Sequence, residues 1–178
     1  MPGPLTGLRV LDLSQAFAGP WASQLLGDLG AEIIKIERPR TGDDTRSWGP
    51  PVASKSATDR ISGPFLSMNR SKASVTVDLS HPEGKQIVLA LTETADIVLE
   101  NFRPGVLDRL GLGWDAIRAA NPRAICCSIS GFGREGPYSG RAAYDFAIQA
   151  TAGMMSVTGE DEARPGGGPQ KVGVPVIA

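Results

Sequence analysis

The stretch Val98-Leu-Glu-Asn-Phe-Arg-Pro-Gly-Val-Leu-Asp-Arg-Leu-Gly111 decides the fold. It begins inside an apolar run, residues 97–99, that reads as a short buried strand. Glu100, Asn101 and Arg103 then stand where that strand should end. Pro104 and Gly105 turn the chain, and residues 106–110 read as a helical turn carrying Asp108 and Arg109. Polar groups at the carboxyl end of a buried strand are where open α/β sheets hold ligands.

The same unit recurs along the chain. Residues 8–13 read as a first strand, 14–20 as a turn and 21–29 as a helix, with Pro20 at its first position and Leu25, Leu26 and Leu29 on its buried face. Residues 32–36 form a second strand tipped by Glu37 and Arg38, and 74–78, rich in β-branched residues, a third. Ser80-His-Pro-Glu83 reads as a capping box, with Ser80 as cap, opening a helix over 83–94 that buries Ile87, Leu89, Ala90 and Leu91. A short helix over 114–120, a fifth strand over 124–130 and a helix over 144–155 follow. Residues 39–66 form a long polar loop excursion, and 159–171 a Gly-rich loop. Strand–helix alternation of this kind predicts an α/β fold: a parallel, Rossmann-like sheet with flanking helices.

Bulk properties narrow the function. The net charge is −1, which argues against a general nucleic-acid-binding surface. No apolar run approaches the ~20 residues of a membrane span. Residues 1–7 carry no secretory leader pattern, so a soluble cytoplasmic protein is expected. Adjacent Cys126 and Cys127 should point to opposite faces of a strand as reduced, packed thiols. The one histidine, His81, belongs to a helix start, and no metal-ligand spacing is present. Neither a G-x-G-x-x-G fingerprint nor a P-loop occurs, and no Ser-His-Asp or Cys-His set can be assembled. Asp145 reads as a first-turn carboxylate complementing a helix dipole.

The ends of the predicted strands collect cations: Arg38, Arg40 and Arg46; Arg70 and Lys72 with Asn69; Arg103 and Arg109 with Asn101; Arg134 and Arg141. Ser14, Gln15 and the backbone near Gly19 sit at a helix start suited to anions. Arginine grips phosphate bidentately and lysine acts as a point charge. A ligand bearing several phosphates fits such a rim better than a neutral metabolite; ordinary solvated surface cations are the alternative reading.

Leu8-Arg-Val-Leu-Asp-Leu-Ser14, Ala18-Gly-Pro20, Leu26-Gly-Asp-Leu-Gly-Ala-Glu-Ile-Ile-Lys-Ile-Glu-Arg-Pro39, Asn69-Arg-Ser-Lys72, Asp96-Ile-Val-Leu-Glu-Asn-Phe-Arg-Pro-Gly105 and Tyr144-Asp145 with Gln149-Ala150 together resemble family III CoA-transferases, which include formyl-CoA and carnitine CoA-transferases and have α-methylacyl-CoA racemase as a relative. The resemblance implies that residues 1–178 are the N-terminal part of a large CoA-binding Rossmann-like domain, cut before a small domain, in a homodimer whose full-length chains interlock. It implies coenzyme A or an acyl-CoA as substrate rather than a bound cofactor, and a carboxylic acid as acceptor. By position, Phe17, Ala18, Arg38, Lys72, Val77, Asn101 and Arg109 are its CoA-binding candidates, with Val77 bordering the adenine. The family nucleophile is an aspartate that passes through a mixed anhydride and an aspartyl-CoA thioester. It follows a segment like Val172-Gly-Val-Pro-Val-Ile-Ala178, so the resemblance places it just beyond this sequence, and residues 1–178 alone are expected to be inactive, a CoA-binding module. The racemase relatives carry Gly-His-Asp where Ala143-Tyr-Asp145 stands here. Tyrosine, with a reference pKa of about 10, is a poor neutral-pH substitute for imidazole, which favours transferase over racemase.

Overall fold

The computed structural model describes residues 2–49, 52 and 62–173. It divides into two compact units, Met1–Ile129 and Ser130–Ala178. The first is built on a five-stranded sheet in the order β3-β2-β1-β4-β5. Its strands are β1 (Arg9–Asp12), β2 (Glu32–Glu37), β3 (Lys72–Thr76), β4 (Ile97–Glu100) and β5 (Ile125–Ser128), and every pairing is parallel. The predicted parallel α/β architecture is therefore observed. The strand order reverses between β1 and β4, and in doubly wound sheets ligands bind outside the carboxyl ends of the strands at such a point.

Register sorts the side chains by face. Residues paired across a parallel ladder share a face, so Val10, Ile33 and Lys72 lie together, as do Asp12, Lys35, Ser74 and Leu99. This face receives α1 (Ala18–Asp28), whose Ala22 and Leu26 pack on Val10, Ile33 and Leu99. The opposite face, with Leu11, Leu13, Ile34, Ile36, Val77 and Val98, is wholly apolar at its centre. It packs against Val88 of α3 (Pro82–Thr92) and Ile117 of α5 (Trp114–Ala120). Cys126 joins that apolar cluster and Cys127 the α1 side, so the two thiols do point apart, and burial raises both their pKa values.

Several local expectations are corrected. Helix α1 begins at Ala18, not Trp21, and Pro20 is its third residue; Trp21 N–H makes the first i→i+4 bond, to Phe17 O (2.8 Å). Its buried residues are Gly19, Pro20, Ser23 and Gln24, whereas Leu25 and Leu29 are each 46% exposed. The apolar spacing misleads because the surface facing α1 is only partly apolar: Ser23 bonds buried Asp12, and Gln24 spans Ser67 O (2.9 Å) and Arg70 N–H (3.1 Å) ahead of β3. The capping box does not form. His81 is the N-cap of α3, Ser80 turns back onto Asp78, and Glu83 pairs with His81. In α3, Val88 is buried while Ile87 is 46% exposed.

The described part of the predicted loop 39–66 holds a 3-10 turn, Asp44–Ser47, and the start of α2 (Gly63–Met68). Asp43 caps the turn by accepting from Thr45 N–H and Ser62 caps the helix, each supplying a side-chain acceptor to an otherwise unpaired first-turn donor. A further turn of helix, α4 (Val106–Arg109), follows Gly105 as expected.

In the second unit the helix expected over 144–155 is two: α6 (Asp145–Thr151) and α7 (Met154–Thr158). Gly153 between them has φ +79°, a left-handed conformation that ends α6. Gln149 is fully buried and accepts a hydrogen bond from Val172 N–H (2.9 Å). The Gly-rich loop is tied by an antiparallel bridge between Glu160 and Gly168.

Candidate functional site

The carboxyl ends of β1, β2 and β4 meet at one turn, residues 14–17, between β1 and α1. Asp12, the last residue of β1, is completely buried and accepts from Ser14 N–H (2.9 Å) and from the Ser14 and Ser23 hydroxyls. Asn101, one residue past β4, grips Gln15 from both sides: its Oδ1 accepts from Gln15 N–H (2.8 Å) and its Nδ2 donates to Gln15 O (2.7 Å). The Asn101 side chain thus replaces a strand neighbour at the place where the strand order reverses. Ala16 has φ +64°, an uncommon conformation for a residue with a Cβ. Phe17 is the N-cap and Ala18 the first residue of α1, whose opening N–H groups have no acceptor four residues back. The Phe17 ring lies 5.5 Å from that of Trp48. Gly19 is obligatory for closeness: a Cβ there would lie 2.2 Å from Ser14 Cβ.

Arg38 follows β2 and reaches the same turn. Its Nη2 donates to Gln15 Oε1 (2.9 Å) and pairs with Asp44, leaving the side chain 47% exposed. Arg46, counted among the rim cations from sequence, is spent on Glu37. Its Nε and Nη2 donate to the two carboxylate oxygens at 2.7 Å each, and its guanidinium lies 3.8 Å above the Phe65 ring. Burial alone would raise the Glu37 pKa, but hydrogen bonds from Arg46, Ser74 and Asp43 N–H outweigh it and hold the carboxyl at about 2.

Lys72 opens β3, at the amino end of that strand, and its side chain reaches Asp12 at the carboxyl end of β1. Its ammonium is buried and contacts Asp12 Oδ2 (3.2 Å), Pro20 O (2.8 Å) and Asn69 Oδ1 (3.0 Å). Burial lowers its pKa to about 8 despite the neighbouring Asp12. Arg70, beside it, pairs with Asp28. Val77 lies past β3, where its N–H donates to Glu37 O (2.9 Å), but its side chain is in the core of the opposite face. Arg109 closes α4 and is exposed, beyond the left-handed Gly105 (φ +80°). Arg134 and Arg141 belong to the second unit, where Arg141 sits 4.1 Å above the Tyr138 ring.

The structure therefore brings Phe17, Ala18, Arg38 and Asn101 to one turn. It sets Lys72 beneath that turn and takes the Val77 side chain into the core. Sequence reasoning missed Lys35 and Asp43. Lys35 lies inside the apolar run Ile33-Ile-Lys-Ile36, and a lysine flanked by β-branched residues on a central strand was the available signal. It is 1% exposed, donates to Ser14 O (2.7 Å), and lies 2.9 Å from Asp43 Oδ2. Burial opposes ionisation of Asp43, yet Lys35 and the Thr45 hydrogen bonds hold its pKa below the usual range. Among the described residues no helix is long and apolar enough to cross a membrane, and no group of three or more His, Cys, Asp or Glu could hold a metal ion.

The pattern of the family described as CoA-transferase family III matches residues 5–178, and the chain belongs to that family. It is 47% identical over 174 residues to a succinate–glutarate CoA-transferase from Agrobacterium fabrum, covering 97% of this chain and 42% of that protein. It is 42% identical over 165 residues to a formyl-CoA:oxalate CoA-transferase from Rhodopseudomonas palustris, covering 93% of this chain and 37% of the relative. A solved CAIB/BAIF family protein from Brucella suis superposes with a TM-score of 0.90 at 47% identity, over 98% of this chain and 44% of that one. The chain thus spans less than half the length of these relatives.

Proposed function

We propose that this member of CoA-transferase family III is the CoA-holding part of an enzyme that moves CoA from an acyl-CoA to a carboxylic acid. The observation that carries this reading is the meeting of residues 14–17, Arg38 and Asn101 at the carboxyl edge where the strand order reverses. Arg38 is anchored yet half exposed, so its free edge is available to a phosphate, and exposed Arg109 supplies a second cation of the same unit. Ala18 and the opening turn of α1 present backbone donors beside them. Lys72 acts in this reading through Asp12, as support beneath the turn, and Val77 through its backbone.

The chemistry follows the family pattern. An aspartate after residue 178 attacks the thioester carbonyl, expelling the CoA thiolate and forming a mixed anhydride. The thiolate then attacks the aspartyl carbonyl, releasing the donor carboxylate and leaving an aspartyl-CoA thioester. The acceptor carboxylate repeats the two displacements in reverse, which regenerates the aspartate. The names of the relatives make succinyl-CoA and a dicarboxylate such as glutarate the first pair to try. The reading extends to a cytoplasmic homodimer with acyl-CoA and carboxylate as its small-molecule partners.

The test uses the full-length protein. Succinyl-CoA with a panel of carboxylic acids should give CoA exchange, and hydroxylamine or borohydride should trap an enzyme-bound thioester. Arg38→Ala and Arg109→Ala should each weaken CoA binding about tenfold in calorimetry, the loss of one charged hydrogen bond. A full-length protein that neither binds CoA nor forms the thioester sinks the proposal. Deuterium exchange at the α-carbon of a 2-methylacyl-CoA, without transfer, would instead indicate a racemase.

A further inference from the structure

The turn over residues 14–17 has an unusual construction. From Ser14 N–H to Ala16 N–H, every backbone polar group is held by one of four side chains, Asp12, Lys35, Asn101 and Asp43. Asp12 accepts from Ser14 N–H at 2.9 Å, and Lys35 donates to Ser14 O at 2.7 Å. Asn101 takes both Gln15 N–H and Gln15 O, and Asp43 Oδ1 accepts from Ala16 N–H at 3.2 Å. Lys35 and Asp43 are each 1% exposed and paired to each other at 2.9 Å. Among the described residues the second oxygen of Asp43 binds nothing else, and the first also caps the 3-10 turn through Thr45 N–H (2.9 Å) and Thr45 Oγ1 (2.7 Å). The Asp43 N–H is itself fixed on Glu37 Oε2 at 2.9 Å.

We propose that the buried Lys35–Asp43 pair is a positioning device that holds Ala16 left-handed and so presents Phe17 and Ala18 in the form that receives the coenzyme. It rests on the CoA reading of the rim. A buried ion pair is a poor source of stability, because desolvation offsets the attraction. A left-handed alanine is unfavourable in its own right. Both features at one turn make sense if the pair fixes a backbone shape that sequence propensity would not choose. Neither residue reaches the rim surface, so each acts through the turn and not on the ligand. The same Asp43 carboxylate holds the segment carrying Asp44, which pairs with Arg38. Turn and phosphate-gripping arginine are thereby set by one buried group.

The experiment compares the full-length wild type with Lys35→Met, Asp43→Asn and Asp43→Asn/Ala16→Gly. CoA binding is read by calorimetry, and steady-state kinetics with succinyl-CoA by KM and kcat. Lys35→Met and Asp43→Asn should each raise the CoA Kd and the acyl-CoA KM about tenfold, with kcat and the acceptor KM within about threefold of wild type. Ala16→Gly should recover most of the loss in the Asp43→Asn background, because glycine takes the left-handed conformation without support. A general loss of folding would not be rescued at one backbone angle. Hydrogen exchange on the unmodified protein gives a second reading that needs no variant. The Gln15 and Ala16 amides should already exchange slowly without ligand, and CoA should change them little. Amides that exchange fast until CoA is added overturn the inference. So does wild-type affinity in folded Lys35→Met and Asp43→Asn. A wild type that does not bind CoA removes the CoA reading and this inference with it, an outcome distinct from binding that is indifferent to the pair.

Discussion

Replacing Arg46 with methionine tests whether the rim cations are spent on structure or held for a ligand. Glu37 is 3% exposed and accepts two hydrogen bonds from Arg46 at 2.7 Å, one from Ser74 Oγ at 2.6 Å and one from Asp43 N–H at 2.9 Å. Arg46→Met leaves the carboxylate buried with only its two neutral donors. Breaking a fully buried pair costs about 3–5 kcal/mol. The Arg46 side chain is 39% exposed, so water reaches the vacated edge, and we expect about 2–3 kcal/mol at pH 7.

The pH dependence sharpens the test. Glu37 titrates at about 2 in the folded protein against 4.5 in an exposed chain. Between those values the unfolded state binds more protons, so stability falls as the pH is lowered from 4.5 towards 2 and is fully present above 4.5. At about 1.4 kcal/mol per unit, the shift bounds the contribution at roughly 3 kcal/mol. In Arg46→Met burial is no longer outweighed, and the folded pKa rises. The gap between wild type and variant should therefore close as the pH approaches 2. Urea unfolding of the full-length protein, followed by tryptophan fluorescence from pH 7 to pH 3, measures it. A gap below about half a kcal/mol at pH 7, or one that stays constant down to pH 3, refutes the assignment.

Gly19→Ala should destabilise by about 2 kcal/mol or more, since the new Cβ would fall 2.2 Å from Ser14 Cβ in the turn; an unchanged melting temperature would show that the turn gives way freely. Lys72 titrates at about 8 folded against 10.5 unfolded, so over that window the unfolded state holds the extra proton and stability rises with pH. Denaturation of wild type and Lys72→Met should accordingly diverge, with wild type gaining roughly 2 kcal/mol on the variant from pH 8 to pH 10; parallel curves contradict burial as the dominant influence on Lys72. Gly105→Ala forces a Cβ onto a left-handed residue (φ +80°) and should cost about 1 kcal/mol in thermal unfolding, along with weaker CoA binding through displaced Arg109.

Much of the fold was legible because its signals are local. Trp114–Ala120 has the predicted bounds and Ile97–Glu100 extends the expected 97–99 by one residue, since each lies between a turn signal and a polar or proline stop. The errors came where one element's surface depended on another's. Leu25 and Leu29 have helical spacing, but α1 turns Ser23 and Gln24 inward because the sheet offers it Asp12 and the link to β3. The capping box failed for a similar reason: Ser80 had a nearer acceptor in Asp78. Residues 39–66 lacked an apolar period and read as a loop; the 3-10 turn within them is organised by Asp43, whose distant partners are Lys35 of β2 and Ala16 of the turn after β1.

Sequence by itself determined the parallel α/β order and put Arg38 and Asn101 at strand ends, because alternation of short β-branched runs with helical segments admits few topologies. It also carried the family, through motifs whose spacing survives without any knowledge of contacts. Only the tertiary structure decided which charges are free to work. Lys35 and Lys72 are buried against carboxylates and Arg46 is committed to buried Glu37, whereas Arg38 and Arg70 each pair with a carboxylate yet stay about half exposed, and Arg109 is exposed. A charged letter looks the same buried or solvated, and its partner can be many residues away. Electrostatic pairing depends on distance and desolvation in space, and neither is written along the chain.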